Sequence, residues 1–395
     1  MSVLVVGSGG REHALVWALA REGVELHAAP GNPGIAALAS CHPVRADDPA
    51  SVVPLADELG VDLVVVGPEA PLVAGLADAL RRRGIPVFGP SSAAARIEGS
   101  KSFAKEVMDA AGVPTARMLS VARPPCVVKA DGLAAGKGVW VCRDQAELEA
   151  ALLAAQALGQ PFHVEELLEG PELSLFAIAA GEEAAALPPA RDYKRIGDGD
   201  TGPNTGGMGS FSPVADGPDP EEILETIHRP VLRELARRGM PFTGLLYAGL
   251  MLTADGVRVI EFNCRFGDPE TQSVLPRLEG GLLDALAASA AGELGGLELR
   301  TTGLAAVTVV LASRGYPERG DAGTPIEGIA DAEAEGAIVF HAGTAVQNAC
   351  LVTNGGRVLD VIGTGATVAD ARAAAYAGVA RIDFAGMQFR KDIGA

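Results

Sequence analysis

Positive charge is what this 395-residue chain has least of. Its 32 Lys and Arg stand against 50 Asp and Glu, for a formal net charge of −18. So negative a surface repels phosphate backbones and anionic headgroups, which argues against nucleic acid or a membrane surface as a partner. An anionic substrate must then be met by a few locally placed Lys and Arg. Cysteine is scarce too: Cys41, Cys126, Cys142, Cys264 and Cys350 are odd in number and form no CxxC. Buried, reduced thiols in a reducing compartment are expected. No apolar run approaches the ~18 residues of a membrane span. The chain opens directly on the strand Val3 to Val6 with no signal peptide ahead of it, so a soluble, cytoplasmic protein is expected. Aromatic residues make up only 4%.

Apolar residues, Gly and Ala are plentiful, as in an α/β enzyme with many tight turns, and the length allows two or three domains. The densest polar stretch is Val259 to Gln272. It begins as a strand, on which Glu261 and Asn263 share one face while Ile260 and Phe262 pack on the other. A carboxylate beside an amide oxygen is a hard, oxygen-only site suited to Mg²⁺, with room for phosphates on the same ion. Arg265, Asp268 and Glu270 follow on a turn punctuated by Gly267 and Pro269. An ordinary solvated strand end with ion pairs is the alternative.

The apolar run Val3 to Val6 leads into Gly7-Ser8-Gly9-Gly10-Arg11-Glu12-His13 and a helix. Such a turn aims backbone N–H groups at an anion. The dinucleotide fingerprint wants glycine where Glu12 stands, and an acidic residue where the second strand ends in Ala29-Pro30. NAD is therefore disfavoured, and a phosphate on a small substrate fits better. A second strand–loop–helix unit runs from Val61 to Val66 into Gly67-Pro68-Glu69. Glu69 suits a ribose hydroxyl or an amine, or simply a helix N-terminus. Ile85 to Phe88 is a further strand, and Phe103 to Ala111 a helix with Lys101 ahead of it.

Lys129 lies inside a β-branched strand, where desolvation is costly unless an anion receives it. The run Gly132 to Gly138 resembles a P-loop but has three residues between its first glycines and Gly138 after Lys137. It reads instead as a glycine-rich lid between antiparallel strands, closing over a triphosphate. The strand Phe162 to Leu168 can offer Glu165, Glu166, Leu167 and Leu168 to an adenine edge, with Glu172 beyond for ribose hydroxyls. His163 reads as a packed strand histidine with no visible partner. Asp192 to Gly209 is long and without an evident regular element, as functional or disordered loops are. Within it Lys194 and Arg195 suit phosphate oxygens, and Asn204 a metal-bound phosphate or substrate. Asp198 and Asp200 fail an EF-hand pattern, since the closing Glu is absent. Beyond Leu304 to Leu311, short strands, one helix from Val368 to Ile382 and a hairpin at Asn354 to Arg357 suggest a small α+β domain.

These stretches, together with Thr201 to Gly209 and Arg390 to Gly394, closely resemble the glycinamide ribonucleotide synthetase family of the ATP-grasp superfamily, nearly end to end. The Arg265 to Gln272 octapeptide carries the resemblance furthest. It implies an α/β fold in four parts: a doubly wound parallel-sheet substrate domain at 1–117, an ATP-grasp lid at 118–187, an ATP-grasp main subdomain with the metal site at 188–302, and an α+β domain at 303–395. It implies ligation of glycine to 5-phosphoribosylamine through glycyl phosphate, with ATP and Mg²⁺ or Mn²⁺. Lys101, Lys129, Gly136, Lys137, Gly138, Glu165 to Leu168 and Glu172 would hold ATP, and Glu261 and Asn263 the metal. Arg195 and Asn204 would lie at the transferring phosphoryl group, with Arg265 and Asp268 as further catalytic residues. Gly9, Gly10, Arg11, Glu12, Pro68, Glu69, Asp192, Lys194, Gly267 and Asp268 would line the substrate pockets. The partners implied are these small molecules alone, acting on a monomer, with no nucleic acid and no membrane. The resemblance departs at Gly244 to Leu252, where many ATP-grasp enzymes carry another metal-binding carboxylate and this chain has none. The alternatives are another ATP-grasp carboxylate–amine ligase of purine biosynthesis, a non-catalytic nucleotide sensor, which would lack Lys129, Glu261 or Asn263, and a dinucleotide oxidoreductase.

Overall fold

The computed structural model describes residues 1–132, 138–297 and 299–395. The first apolar run forms β1 (Ser2–Gly7), buried from Val3 onward. It is the middle strand of a five-stranded parallel sheet with β2 (Glu25–Pro30), β3 (Ser40–Cys41), β4 (Leu63–Val66) and β5 (Val87–Phe88). The order is β3-β2-β1-β4-β5, the doubly wound arrangement expected. Helix α1 (Gly10–Ala20) follows β1. The order reverses between β1 and β4, and ligands of open parallel sheets bind at such a reversal, beyond the carboxyl ends. The glycine turns after Val6 and Val66 both open there.

A second, antiparallel sheet holds β6 (Cys126–Ala130), β7 (Val139–Cys142) and β8 (Phe162–Glu166), with β6 in the middle. Alternation sorts its faces. Cys126, Val128, Cys142 and Val164 pack on the Gln145–Ala157 helix, which leaves Lys129, His163 and Glu165 on the opposite face.

Next come β9 (Glu172–Gly181), β10 (Glu183–Ala186), β11 (Arg191–Asp192), β12 (Arg195–Gly197), β13 (Thr201–Asn204), β14 (Gly209–Ser212), β15 (Phe242–Thr253) and β16 (Gly256–Asn263). A central antiparallel sheet runs β10-β9-β15-β16. Two expectations are corrected here. The Asp192 to Gly209 segment is not irregular, because β12 and β13 pair as a hairpin. Ile260 does not pack with Phe262: a bulge sets Leu250 opposite Val259 and Gly249 opposite Glu261, leaving Ile260 unpaired. Val259 takes its place in the core beside Phe262. An extra residue in one strand shifts every later side chain by one position, so Glu261 and Asn263 still share a face.

The last region contains β17 (Ala305–Ala312), β18 (Asp321–Pro325), β19 (Ile338–His341), β20 (Thr344–Gln347), β21 (Cys350–Gly355) and β22 (Arg357–Gly365). Its larger sheet, β11-β14-β17-β22-β19, borrows β11 and β14 from the preceding region. The hairpin expected at Asn354 to Arg357 does not form. Both edges of β22 are taken, by β17 and β19, so β21 pairs instead with β18 and β20. The tight turn lies at Asn348 and Ala349, both at positive φ. A second helix, Ile329–Ala334, joins Val368–Val379. Among the described residues, no helix is long and apolar enough to cross a membrane.

Candidate active site

Strand β16 ends at the point where the other parts of the chain meet. Opposite Glu261 and Asn263 on β15 are Gly249 and Tyr247, so no carboxylate faces them from that strand. The Asn263 amide, oriented by its partners, gives its nitrogen to Glu98 Oε1 (3.1 Å) and to the Phe262 carbonyl (3.3 Å). That orientation leaves Oδ1 to accept from another group or to ligate a cation. Glu261 makes no ion pair among the described residues. A half-buried carboxylate and a neighbouring amide oxygen, both uncommitted, fit a hard divalent cation. Among the described residues, no group of three or more His, Cys, Asp or Glu forms a ready-made cation cage. Phosphates and water would have to complete the shell.

Lys129 approaches this strand from the β7-β6-β8 sheet. Its Nζ donates to the Ile260 carbonyl (3.0 Å) and pairs with Glu165 Oε2 (2.8 Å). Glu165 Oε1 is shared by Lys105 (3.1 Å) and His163 Nε2 (2.8 Å). Burial would raise the Glu165 carboxyl, but His163, Lys129 and Lys105 outweigh it and bring it down to about 2. Two ammonium groups thus stand around one permanently ionised carboxylate. The lysine Nζ can turn to a phosphate without leaving that carboxylate bare. His163 is packed, as expected, but its partner lies two residues on, along the same strand face. Lys105 escaped sequence reading although it falls on the buried helix face with Met108. Lys101 donates to the Gly132 carbonyl (3.3 Å), at the entry to the glycine-rich run. Gly136 and Lys137 lie outside the described residues. Gly138 accepts from the Ala130 N–H through its carbonyl (2.8 Å). Glu166 turns away to an exposed pair with Arg117 (2.7 Å), while Leu167 and Leu168 follow β8 half-buried.

On the other side of β16 lie Asp192, Lys194 and Glu172. Lys194 pairs with Glu172 and, at 3.5 Å, with Asp192. Burial lifts the Asp192 carboxyl to about 7; Lys194 opposes this, and Glu270, Glu172 and Glu261 add to it. A cation or a substrate ammonium arriving here would hold Asp192 ionised. Arg195 and Asn204 face each other across the β12–β13 pair, and Arg195 donates to the Gly202 carbonyl (2.8 Å).

Arg265 links the strand to the parallel-sheet domain. It pairs with Glu98 (3.1 Å) and Glu69 (3.3 Å) and donates to the Phe266 carbonyl (3.1 Å). The same carbonyl accepts from Arg11 (3.3 Å). Burial opposes the ionisation of Glu69, and Arg265 and Arg11 more than offset it. Pro68 caps the short helix that Glu69 begins. Glu12 accepts from the Gly9 N–H (2.6 Å) and from Arg11 (2.5 Å). One N–H of the expected anion cradle is thus already taken by the residue that replaces the fingerprint glycine. A Cβ on Gly67 would stand 2.1 Å from Glu12 Oε1, so only glycine lets that carboxylate reach the turn. Asp268 accepts from Arg357 (2.9 Å) and Gln272 (2.8 Å), and Gln272 also donates to Asp360 (2.9 Å). Burial raises the Asp268 carboxyl, but Arg357 and Arg11 bring it below its ordinary range. Gly267 lies against Glu270 and Phe176. Glu98, Arg357, Gln272 and Asp360 were not foreseen as site residues; Glu98 lies in the last turn of the helix Ser92–Gly99, and the others meet only through tertiary contacts.

Family models described as phosphoribosylglycinamide synthetase match in three pieces: the N domain at residues 1–98, the ATP-grasp (A) domain at 99–271 and the C domain at 306–395. A phosphoribosylamine–glycine ligase of Streptomyces coelicolor is 54% identical over 415 aligned positions, covering 100% of this chain and 99% of that one. One from Leifsonia xyli is 50% identical, with 100% of each covered. The crystal structure of phosphoribosylamine–glycine ligase from Thermotoga maritima superposes with a TM-score of 0.86 at 35% identity, covering 99% of this chain and 100% of that one. The biotin carboxylase domain of Hydrogenobacter thermophilus 2-oxoglutarate carboxylase, solved with MgADP and bicarbonate, shares the fold at a TM-score of 0.71 and 17% identity, over 98% of this chain and 91% of that one.

Proposed function

The chain belongs to the phosphoribosylglycinamide synthetase family, and from that premise we propose how its residues ligate glycine to 5-phosphoribosylamine. The reaction is that of an ADP-forming carbon–nitrogen ligase of purine biosynthesis. A glycine carboxylate oxygen attacks the γ-phosphorus of ATP; the bond to the β,γ-bridging oxygen breaks, giving ADP and glycyl phosphate. The neutral amine of phosphoribosylamine then attacks the acyl carbon. Phosphate leaves, the nitrogen loses a proton, and glycinamide ribonucleotide forms.

Phosphoryl transfer of this kind needs positioning and charge neutralisation more than covalent help. Lys129 and Lys101 hold ATP phosphates, and the strand end at Glu165 to Leu168 with Glu172 holds the adenosine. Arg195 and Asn204, opposed on their hairpin, reach the transferring phosphoryl group. Glu261 and Asn263 hold Mg²⁺, or Mn²⁺, which supplies charge neutralisation on the phosphates. Asp192, Lys194, Glu69, Arg265, Asp268 and the Gly9 to Glu12 turn line the glycine and phosphoribosylamine pockets. The working units are 1–117, 118–187, 188–302 and 303–395, in a cytoplasmic monomer that uses no nucleic acid.

The single observation that carries these assignments is the meeting at β16. Lys129 of the lid donates to the carbonyl of Ile260, the residue beside Glu261 on the strand of the metal pair. Arg265 continues that strand into Glu69 of the parallel-sheet domain. The test combines protein, ATP, Mg²⁺, glycine and freshly made phosphoribosylamine, and follows ADP with each omitted in turn. ADP release that persists without glycine would refute this assignment.

A further inference from the structure

The last residues of the chain hold the hairpin that carries Arg195 and Asn204. Arg390 is 1% exposed and is the largest fully buried side chain among the described residues. Its guanidinium lies 4.8 Å from the centre of the Tyr193 ring. It donates to the Arg195 carbonyl (3.2 Å), to Asp200 Oδ1 (2.7 Å) and to both oxygens of Asp392 (2.7 and 2.6 Å). The backbone joins in. Lys391 N–H donates to Asp198 Oδ1 (2.8 Å), and Gly199 N–H to Asp392 Oδ2 (2.8 Å). Gly394 N–H donates to the Tyr193 hydroxyl (3.0 Å).

The tail is itself fixed. Tyr376, on the Val368–Val379 helix, donates to the Arg390 carbonyl (2.8 Å) and accepts from Ile393 N–H (3.1 Å). Arg372 of that helix donates to the carbonyls of Ile393 (3.1 Å) and Lys391 (2.8 Å). Beyond the hairpin, Gly206 is held by the Tyr316 hydroxyl (2.9 Å) and by Arg357 (2.7 Å).

Burying a guanidinium is a poor way to gain stability, since apolar residues of similar volume serve a core as well or better. What the guanidinium adds is geometry: a rigid fork satisfied only when its acceptors stand in one arrangement. Here the acceptors sit on the hairpin and the tail, so the fork fixes one against the other. We propose that Arg390 is a positioning residue for the ligase reaction, acting through the hairpin on Arg195 and Asn204. This rests on the function proposed above. It gives Asp198 and Asp200, which fail as a calcium loop, a role as the hairpin's attachment points.

The test uses the full chain with two variants. Asp200→Asn removes one charged acceptor at an exposed position and suits the left-handed φ of 54° there. Arg390→Lys keeps the charge and loses the fork. We expect kcat to fall on the order of 10- to 100-fold, with the KM for ATP changed by less than about twofold. Backbone amides of 195–204 should exchange faster, while those of β1 and β15 should not. Lysine should fail to restore kcat. A hairpin with wild-type protection, or variants with wild-type kcat, would overturn the proposal even if the wild type is the expected ligase. A fall in kcat matched by loss of folded protein, with protection lost everywhere, would also overturn it, as a purely structural role. A wild type that releases no glycine-dependent ADP would instead remove the ligase reading, and the catalytic role with it.

Discussion

Which charges have partners decides what each residue can do. Glu165 is enclosed by His163, Lys129 and Lys105 and is a fixed anion, whereas Glu261 has no ion pair among the described residues and can give its charge to a metal. Glu261→Gln should therefore lower kcat/KM by about 100-fold or more while shifting stability by no more than about 0.5 kcal/mol. ADP release at saturating Mg²⁺, read beside a thermal melt, checks both. Near-normal turnover would remove the metal assignment. Lys129→Ala leaves Glu165 its other two partners, so the fold should survive. The KM for ATP should rise and chemistry should slow. If only the dependence on glycine changes, Lys129 does not face the nucleotide.

At the scale of elements, α1 meets β22 at a close contact. A Cβ on Gly10 would stand 1.8 Å from Asp360 Oδ2. Gly10→Ala should therefore cost about 1–3 kcal/mol through overpacking. Asp360→Ala in the same chain should recover most of that loss, because the clash disappears with the carboxylate. Denaturant unfolding of the two single variants and the double variant tests it, and strict additivity would sink the argument. The parallel sheet and the strands β6 to β8 were legible in the sequence because continuous apolar runs and β-branched alternation are local signals. The bulge at Ile260 was not, since nothing in Val259-Ile260-Glu261 marks an extra residue. The turn at Asn348–Ala349 went unread because alanine rarely adopts positive φ. The β12–β13 hairpin is fixed by a tail from the far end of the chain, and Arg390 carries no local sign of what it grips. Glu261 and Asn263 could be singled out by spacing alone, but the Lys105–Glu165–Lys129 cluster joins three segments that only the fold brings together.

At the scale of the whole molecule, burial holds His13, His228 and His341 neutral. Burial brings His13 to about 3, with His341 nearby adding to the effect, and burial alone brings His341 to about 4. His228, tilted edge-on to Phe262 at 6.4 Å, is lowered by burial to about 4. His13 Nδ1 accepts from the His341 N–H (2.8 Å), so a contact between the first helix and the last region needs that nitrogen free of a proton. Below an unfolded value of about 6.5 the unfolded chain takes up protons that these folded histidines refuse, so they lower stability as pH falls, while Asp192 and Asp360, lifted by burial to about 7, act in the opposite direction. Each histidine should cost roughly 2 kcal/mol between pH 7 and pH 5. The loss should continue toward pH 4, where folded His341 and His228 begin to titrate. Above pH 7 the curve should be flat with respect to these groups. His228→Leu, which keeps an apolar core position, should remove roughly 2 kcal/mol of loss between pH 7 and pH 5 without altering stability at pH 8 by as much. Guanidinium unfolding across that range measures it, and an acid limb as steep in the variant as in the wild type would show that His228 takes up its proton without unfolding.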